Sequence, residues 1–349
     1  MVANLIATIM VIAIHYNSKG SIQPSDVKGW NYLFQEFTLN GVARISVPFF
    51  AMLSGFFLAS KLESWSLYVA MLKNKSKTLF LPYLIASIVI LLASTGIKWV
   101  VQHDSYQSIT TLSFIKNSIF HPVSDQFWFL RDLIILTVIS PLLLSHKKIY
   151  SLPLVLCLFF LWLINYQPLP IFFDWYLLNI DTLFFFSLGG LVFRQKNVLN
   201  NIVYARISFK VTVLFLWVLF LLIRVYLDPT LNVWYTTDYN LTSVLLYKVA
   251  ILLGITSLIQ FSIYLSTNRL LIYLSGLTFF AFLFHLVPLS YVRILTAGII
   301  EPEFYFYIYY PIALIFVFIS AHFLAQYTPK IFNIITGGRI PSKALKRVQ

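Results

Sequence analysis

With 349 residues, 59% of them hydrophobic and 11% charged, and a mean hydropathy of +0.83, the chain lies far from soluble domains, in which about 45–50% of residues are apolar and about 25% charged. A polytopic membrane protein is the class that fits. The net charge of +13 does not argue for nucleic acid, because a nucleic-acid binder gathers its basic residues on one hydrated face and here they are spread through short loops between apolar runs. The single cysteine, Cys157, lies inside an apolar run, which excludes a disulfide framework and a Cys-based metal site and reads as a small core or lipid-facing residue.

Apolar runs of about 17–25 residues read as spanning helices. In chain order they are Val2–Tyr16, Val42–Leu58, Leu79–Trp99, Phe127–Leu144, Tyr150–Tyr166, Trp175–Phe193, Phe209–Leu227, Leu241–Leu265, Leu270–Ile294 and Phe304–Tyr327. The first is short and lacks the n-region and small-residue cleavage site of a signal peptide, so it reads as a permanent span. The expected fold is all-α, a polytopic integral membrane protein with about ten transmembrane helices. No polar stretch is long enough to fold alone, so residues 1–335 form one transmembrane domain, followed by a cytoplasmic tail over 336–349.

Orientation follows from the basic residues of alternate loops. With the N-terminus inside, Lys61, Lys73, Lys75, Lys77, Lys147, Lys148, Arg194, Lys196, Arg206, Lys210, Arg269, Lys330, Arg339, Lys343, Lys346 and Arg347 are cytoplasmic. The opposite loops carry Asp26, Glu36, Asp104, Asp125, Asp174, Asp228, Asp238, Glu301 and Glu303, with Lys19, Lys28 and Lys116 as bases. That asymmetry predicts an even number of spans with both termini in the cytoplasm.

Ionisable groups inside a bilayer are functional hypotheses by default, because each costs several kcal/mol unless paired or hydrated. Nine of those within the runs stand out: His15, Arg44, Arg131, Asp132, Asp181, Arg224, Lys248, His285 and Arg293. On this topology all nine lie in the outer half of the membrane, with Asp181 roughly 9 Å below the outer face at 1.5 Å per residue from Trp175. They predict a polar cavity opening away from the cytoplasm. Each has a plainer alternative. His15 reads equally as an interfacial histidine facing water, and Arg44, Arg224 and Arg293 as arginines snorkelling to headgroups, the better reading for the last two. Arg131 and Asp132 are sequence neighbours about 100° apart on a helix and need not pair; either reads as a structural ion pair with another helix or as a functional group. Asp181 and His285 are too deep to reach headgroups easily, and Lys248 reads as a neutraliser of an acid such as Asp181. Trp128 suits an interfacial belt or a surface for stacking substrate.

The chemistry available is narrow. There is no His-Glu-x-x-His, no Walker loop and no Gly-x-Ser-x-Gly elbow, so zinc hydrolysis, NTP hydrolysis and α/β-hydrolase chemistry have no support. An imidazole with a near-neutral pKa serves as a general base toward a hydroxyl, and an arginine holds an oxyanion or phosphate. Acyl transfer to an alcohol needs that pairing; proton-coupled transport uses the same groups. A transporter should show Gly/Pro-broken helices in matching halves, and no convincing internal repeat is present.

Several motifs occur together. His15 closes the run Ile6-Ala-Thr-Ile-Met-Val-Ile-Ala-Ile-His15, followed by Arg44-Ile-Ser-Val-Pro-Phe-Phe50 with Ser54-Gly55; then come Lys75-Ser-Lys-Thr-Leu-Phe-Leu-Pro-Tyr83, Phe127-Trp-Phe-Leu-Arg-Asp-Leu133 with Pro141, Asn179-Ile-Asp-Thr-Leu-Phe-Phe-Phe-Ser-Leu-Gly-Gly190 with Arg194, and Ser275 through His285. This ordered set resembles the membrane acyltransferase-3 family along nearly the whole chain. The resemblance implies a ten-helix O-acyltransferase of the bacterial cytoplasmic (inner) membrane. It would take an acyl group, commonly acetyl, from cytoplasmic acyl-CoA and place it on a hydroxyl of a surface glycan or lipid-linked saccharide. The donor would be acetyl-CoA or another acyl-CoA, with no metal, and the partners acyl-CoA, the saccharide acceptor and membrane lipid, with no nucleic acid. It makes His15 the catalytic histidine; in a working mechanism Arg44 steadies the developing charge or the fold around it, and Asp181 or Asp132 orients an imidazole or binds sugar hydroxyls. Trp128, Arg131, Asp132 and His285 are then the substrate-binding candidates, joined by Trp175 and Trp234 as sugar-stacking surfaces. Lys73, Lys75, Lys77 and Arg194 would meet the phosphates of the donor; ordinary positive-inside residues are the plainer reading of all four. The family pattern places an arginine eleven residues before the histidine, where this chain has Asn4. Another base such as Arg44 substitutes, the start is incomplete, or the enzyme is impaired. The rival class is a transporter or exporter of a polysaccharide or small solute.

Overall fold

The structure, a computed structural model, describes residues 1–102, 124, 126–144, 148–166, 171–172, 175–176, 178–231, 233, 239–288, 299–339 and 341. Its helices are α1 (Val2–His15), α2 (Trp30–Gln35), α3 (Ser46–Ala59), α4 (Trp65–Lys75), α5 (Leu81–Gln102), α6 (Phe127–Leu143), α7 (Lys148–Leu163), α8 (Ile180–Arg194), α9 (Lys196–Val203), α10 (Ile207–Leu227), α11 (Leu241–Leu265), α12 (Arg269–Ser275), α13 (Thr278–Phe284), α14 (Tyr305–Tyr327) and α15 (Pro329–Thr336). The described extended structure is one antiparallel pair of two-residue strands, β1 (Ile171–Phe172) and β2 (Trp175–Tyr176). The protein is all-helical in architecture, and each of the ten apolar runs holds a helix.

Local chemistry sets the ends. Asn and Ser side chains accept from backbone N–H groups that a helix leaves unpaired at its start. Asn179 so caps α8, Asn240 caps α11, Asn268 caps α12 and Ser64 caps α4. Two stretches run on through irregular turns. Between α2 and α3 the chain continues through a π turn, Glu36–Gly41, and a 3-10 turn, Val42–Ile45; between α4 and α5 it passes through a π turn, Ser76–Phe80.

Five helical stretches among the described residues are long and apolar enough to cross a membrane: Trp30–Ala59, Trp65–Ala93, Ile207–Leu227, Leu241–Leu265 and Pro302–Tyr327. A sixth results if Arg269–Ser275 and Thr278–Pro288, bent by 48°, are one span. With 14 residues, α1 reaches about 21 Å, short of a hydrocarbon core of about 30 Å.

Two expectations about depth change. The run over Trp175–Phe193 is not one helix: β2 occupies its start and α8 begins at Ile180, so Asp181 lies in the first turn of α8. The run over Leu270–Ile294 is interrupted between Ser275 and Thr278, and His285 follows the last residue of α13; Arg293 lies outside the described residues.

Without water in the surroundings, helices associate by close packing and small residues let backbones approach. A Cβ on Gly55 of α3 would stand 2.8 Å from the Phe186 carbonyl carbon of α8, and one on Gly189 of α8 would stand 2.9 Å from the Phe56 nitrogen. Helix α1 lies between the two apolar cores: Ala7 and Val11 join the one containing α3, α6, α8 and α11, while Ile12, Ala13 and Tyr16 join the one built on α13 and α14. That wedge fixes where His15 emerges. Cys157, in α7, is exposed.

The segment read as a cytoplasmic tail starts against the bundle. Gly337, at φ +61°, ends α15 in a left-handed turn, with Gly338 N–H donating to Asn333 O at 2.9 Å and Gly337 N–H to Ile334 O at 3.3 Å, the Schellman pattern. The turn sends Arg339 back onto the bundle, where its Nη1 donates to Thr78 O at 2.6 Å. Residues 340 and 342–349 lie outside the described residues.

Candidate active site

His15 is the last residue of α1, and the Tyr16 hydroxyl that follows it donates to His285 O at 2.5 Å. This bond ties the end of α1 to the break after α13. The two imidazole rings stand with centroids 5.1 Å apart, inclined at 49°. His285 is fully buried, whereas His15 is half-buried. The Nδ1 of His285 is 2.9 Å from Phe282 O; a carbonyl only accepts, so Nδ1 carries the proton and Nε2 presents its lone pair. That Nε2 is buried with no hydrogen-bond partner among the described residues. A deep unsatisfied acceptor beside a second imidazole is unusual, since buried polar atoms are nearly always bonded.

Arg44 lies within electrostatic reach of His15 and is held from behind. Its Nε donates to Asn40 Oδ1 at 2.9 Å. Asn40 Nδ2 donates in turn to Glu36 Oε1 at 3.0 Å and to Leu231 O at 2.9 Å. Glu36 also accepts from Lys19 and from Arg224. The Glu36 and Arg224 side chains are both 0% exposed. Arg224 therefore does not snorkel: a guanidinium withdrawn from water is tolerable only against a carboxylate, and Glu36 supplies one.

Two further ion pairs follow, one between helices and one within α6. Lys248 Nζ of α11 lies 3.3 Å from Asp181 Oδ1 of α8 and 4.8 Å from the centroid of the Trp162 ring of α7, whose indole N–H donates to the same Asp181 oxygen. Asp132 of α6 accepts from Asn179 N–H at 3.1 Å and Thr182 Oγ1 at 2.9 Å. Its neighbour Arg131 does pair with it, Nη2 to Oδ1 at 3.2 Å. Trp128 is half-buried and packs edge-on against Phe129. Trp234 lies outside the described residues.

A cavity of about 450 Å³ occupies the other end of α1. Asn4 and Thr8 of α1 line it with Ser54, Lys75, Thr137, Phe279, Phe282 and Arg339. Its exposed lining residues, Met1 and Phe57, mark where it opens. Positions 4, 8, 11 and 15 form one helical stripe, so Thr8 stands about 10 Å along the axis from His15. Phe282 closes the deep end, its ring centroid 6.2 Å from that of His285. Of the four basic residues expected to meet a donor, Lys75 lines the cavity, Lys73 and Lys77 are exposed, and Arg194 donates to Leu144 O, joining the ends of α8 and α6. Burial pushes the Arg339 guanidinium down to about 10, which leaves it charged at neutral pH.

An imidazole pair at one end of a helix and a cavity lined by two cations at the other suit transfer of a group from an anionic donor. The family model for an acyltransferase domain, acyltransferase-3, matches residues 4–326. The chain belongs to this family. It is therefore a multi-pass membrane acyltransferase, as its motifs implied. No curated protein and no solved structure matches the chain. Sequence reasoning about this acyltransferase left Glu36 among the outer-loop acids and passed over Asn40, although the spacing of four from Glu36 to Asn40 and again from Asn40 to Arg44 was a usable signal. It also left Arg339 among the positive-inside residues, although Gly337-Gly338 before it announces a helix stop.

Proposed function

We propose that the protein is an O-acyltransferase that moves an acyl group, acetyl in its simplest form, from cytoplasmic acyl-CoA to a hydroxyl of a surface glycan or lipid-linked saccharide, in the bacterial inner membrane. On this reading the chain spans the membrane about ten times with both termini in the cytoplasm. The cavity beside Met1, Lys75 and Arg339 then faces the donor and the His15 end faces the acceptor. The observation that carries the reading is the shared helix: the α1 stripe that lines the cavity at Asn4 and Thr8 ends at His15, beside His285.

In the reaction the acyl thioester enters along the cavity with its acyl end toward His15. The half-buried His15 removes the proton of the acceptor hydroxyl, the resulting oxygen attacks the thioester carbonyl, and the C–S bond breaks. His15 returns the proton to the departing sulfur, so free CoA and the ester leave. Arg44 stabilises the negative charge that develops on the carbonyl oxygen, its guanidinium held in place by Asn40. His285, with Nε2 as acceptor, binds a hydroxyl or takes part in the proton movement. Arg131 and Trp128 are the acceptor-binding candidates. Asp181 and Asp132, whose carboxylates already accept from protein donors, position helices in this reading and do not move protons.

Incubating the purified protein with radiolabelled acetyl-CoA and a glycan acceptor tests it. Label on the sugar, lost in His15→Ala with the protein still folded, is the expected result. Acceptor movement across a vesicle wall without modification would instead identify a transporter, and full transfer by His15→Ala would remove that residue from the mechanism.

A further inference from the structure

We propose that Arg339, turned back by the glycine hook at the end of α15, forms with Lys75 a binding site for the phosphate groups of the acyl donor at the mouth of the cavity. The proposal rests on the acyl-CoA reading above and adds a residue and a mode of presentation to it.

Three observations carry it. First, both cations line the same cavity, and none of its described lining residues is acidic. Lys75 feels the charge of Arg339, and two like charges held together without a carboxylate repel; an anion between them removes that cost. The Lys75 side chain makes no hydrogen bond among the described residues. Second, the guanidinium is fixed in place. Among the described residues both bonds it makes come from Nη1, to Thr78 O at 2.6 Å and to Thr336 O at 2.7 Å, and its carbon sits 3.9 Å from the Phe279 ring centroid. Nε and Nη2 keep their hydrogens for a ligand, in the fork that matches phosphate oxygens. Third, the backbone that delivers it is built to one shape. Gly337, at φ +61°, lies so close to the π turn that a Cβ would stand 2.6 Å from Thr78 Cα, and a Cβ on Gly276 would stand 3.0 Å from Pro341 Cα. The hook is thus clamped between the turn before α5 and the break before α13, on the rim of the cavity.

Calorimetric titration of the full-length protein in nanodiscs with coenzyme A, and separately with pantetheine, tests the proposal. Arg339→Ala and Lys75→Ala should each weaken coenzyme A at least tenfold and leave pantetheine, which lacks the phosphates, unchanged; Arg339→Lys should lose less. Lys75→Ala guards against misfolding, since Lys75 ties no element down. Equal coenzyme A affinity in wild type and both alanine variants overturns the proposal. So does unchanged coenzyme A affinity accompanied by loss of co-purifying phosphatidylglycerol in Arg339→Ala, which would assign the anion to a lipid headgroup. A wild-type protein that does not bind coenzyme A in either phosphatidylcholine or phosphatidylglycerol discs sinks the donor reading itself, a result distinct from either of these.

Discussion

The His15 and His285 rings lie 5.1 Å apart between their centroids, and the Tyr16 hydroxyl, on the residue after His15, donates to the His285 carbonyl. On the proposed reading the two imidazoles do different work on one hydroxyl. General acid–base assistance contributes roughly 10²–10⁴-fold. His15→Ala is expected to lose that whole factor in labelled acetyl transfer. His285→Ala should lose less, with KM for the acceptor rising, if its Nε2 binds the hydroxyl as proposed; an equal loss in kcat would instead place it in the proton movement.

Glu36 is the carboxylate on which Lys19, Arg224 and Asn40 converge. Removing one member of a buried pair costs about 3–5 kcal/mol, because the survivor is left charged and unpaired. Glu36→Gln and Arg224→Met should therefore each lower the thermal unfolding temperature in detergent, and the double variant should lose less than the sum. Strict additivity would show that the two do not act as a pair.

The Asp181–Lys248 pair separates a scaffold role from a catalytic one. Asp181→Asn and Lys248→Met alone are expected to destabilise the protein. Combined, they remove both charges and should restore folding together with most of the transfer activity. A folded but inactive double variant, measured with labelled acetyl-CoA, would make Asp181 part of the chemistry.

Gly55 and Gly189 set how closely α3 and α8 approach. Overpacking a tight contact costs about 1–3 kcal/mol, and here backbone meets backbone with no flexible side chain to give way. Gly55→Ala and Gly189→Ala should each reduce the yield of folded protein and its unfolding temperature, while Gly20→Ala, with open space around it, should change neither.

Much of this architecture was legible in the residues. Apolar runs report helices because a backbone in lipid must satisfy its own hydrogen bonds, and every run holds one. Breaks were less visible: α8 starts late because Asn179 caps it at Ile180, and Leu270–Ile294 gave no strong sign of the bend at Gly276. The histidine of the candidate site stood out as a polar residue at the end of an apolar run, whereas Arg224 was misjudged because nothing nearby in sequence shows that Glu36, 188 positions away, lies against it.

By itself the sequence determined the class of molecule, the helices and the family, since these follow from hydropathy, from capping residues and from motifs read along the chain. The tertiary structure alone decided which charges neutralise one another, which histidine is buried, and that Arg339 returns to the rim of a cavity begun by Asn4 and Thr8. The physical reason is that a charge in a low-dielectric interior is tolerated only against its partner, and partners distant in sequence meet only when the helices pack.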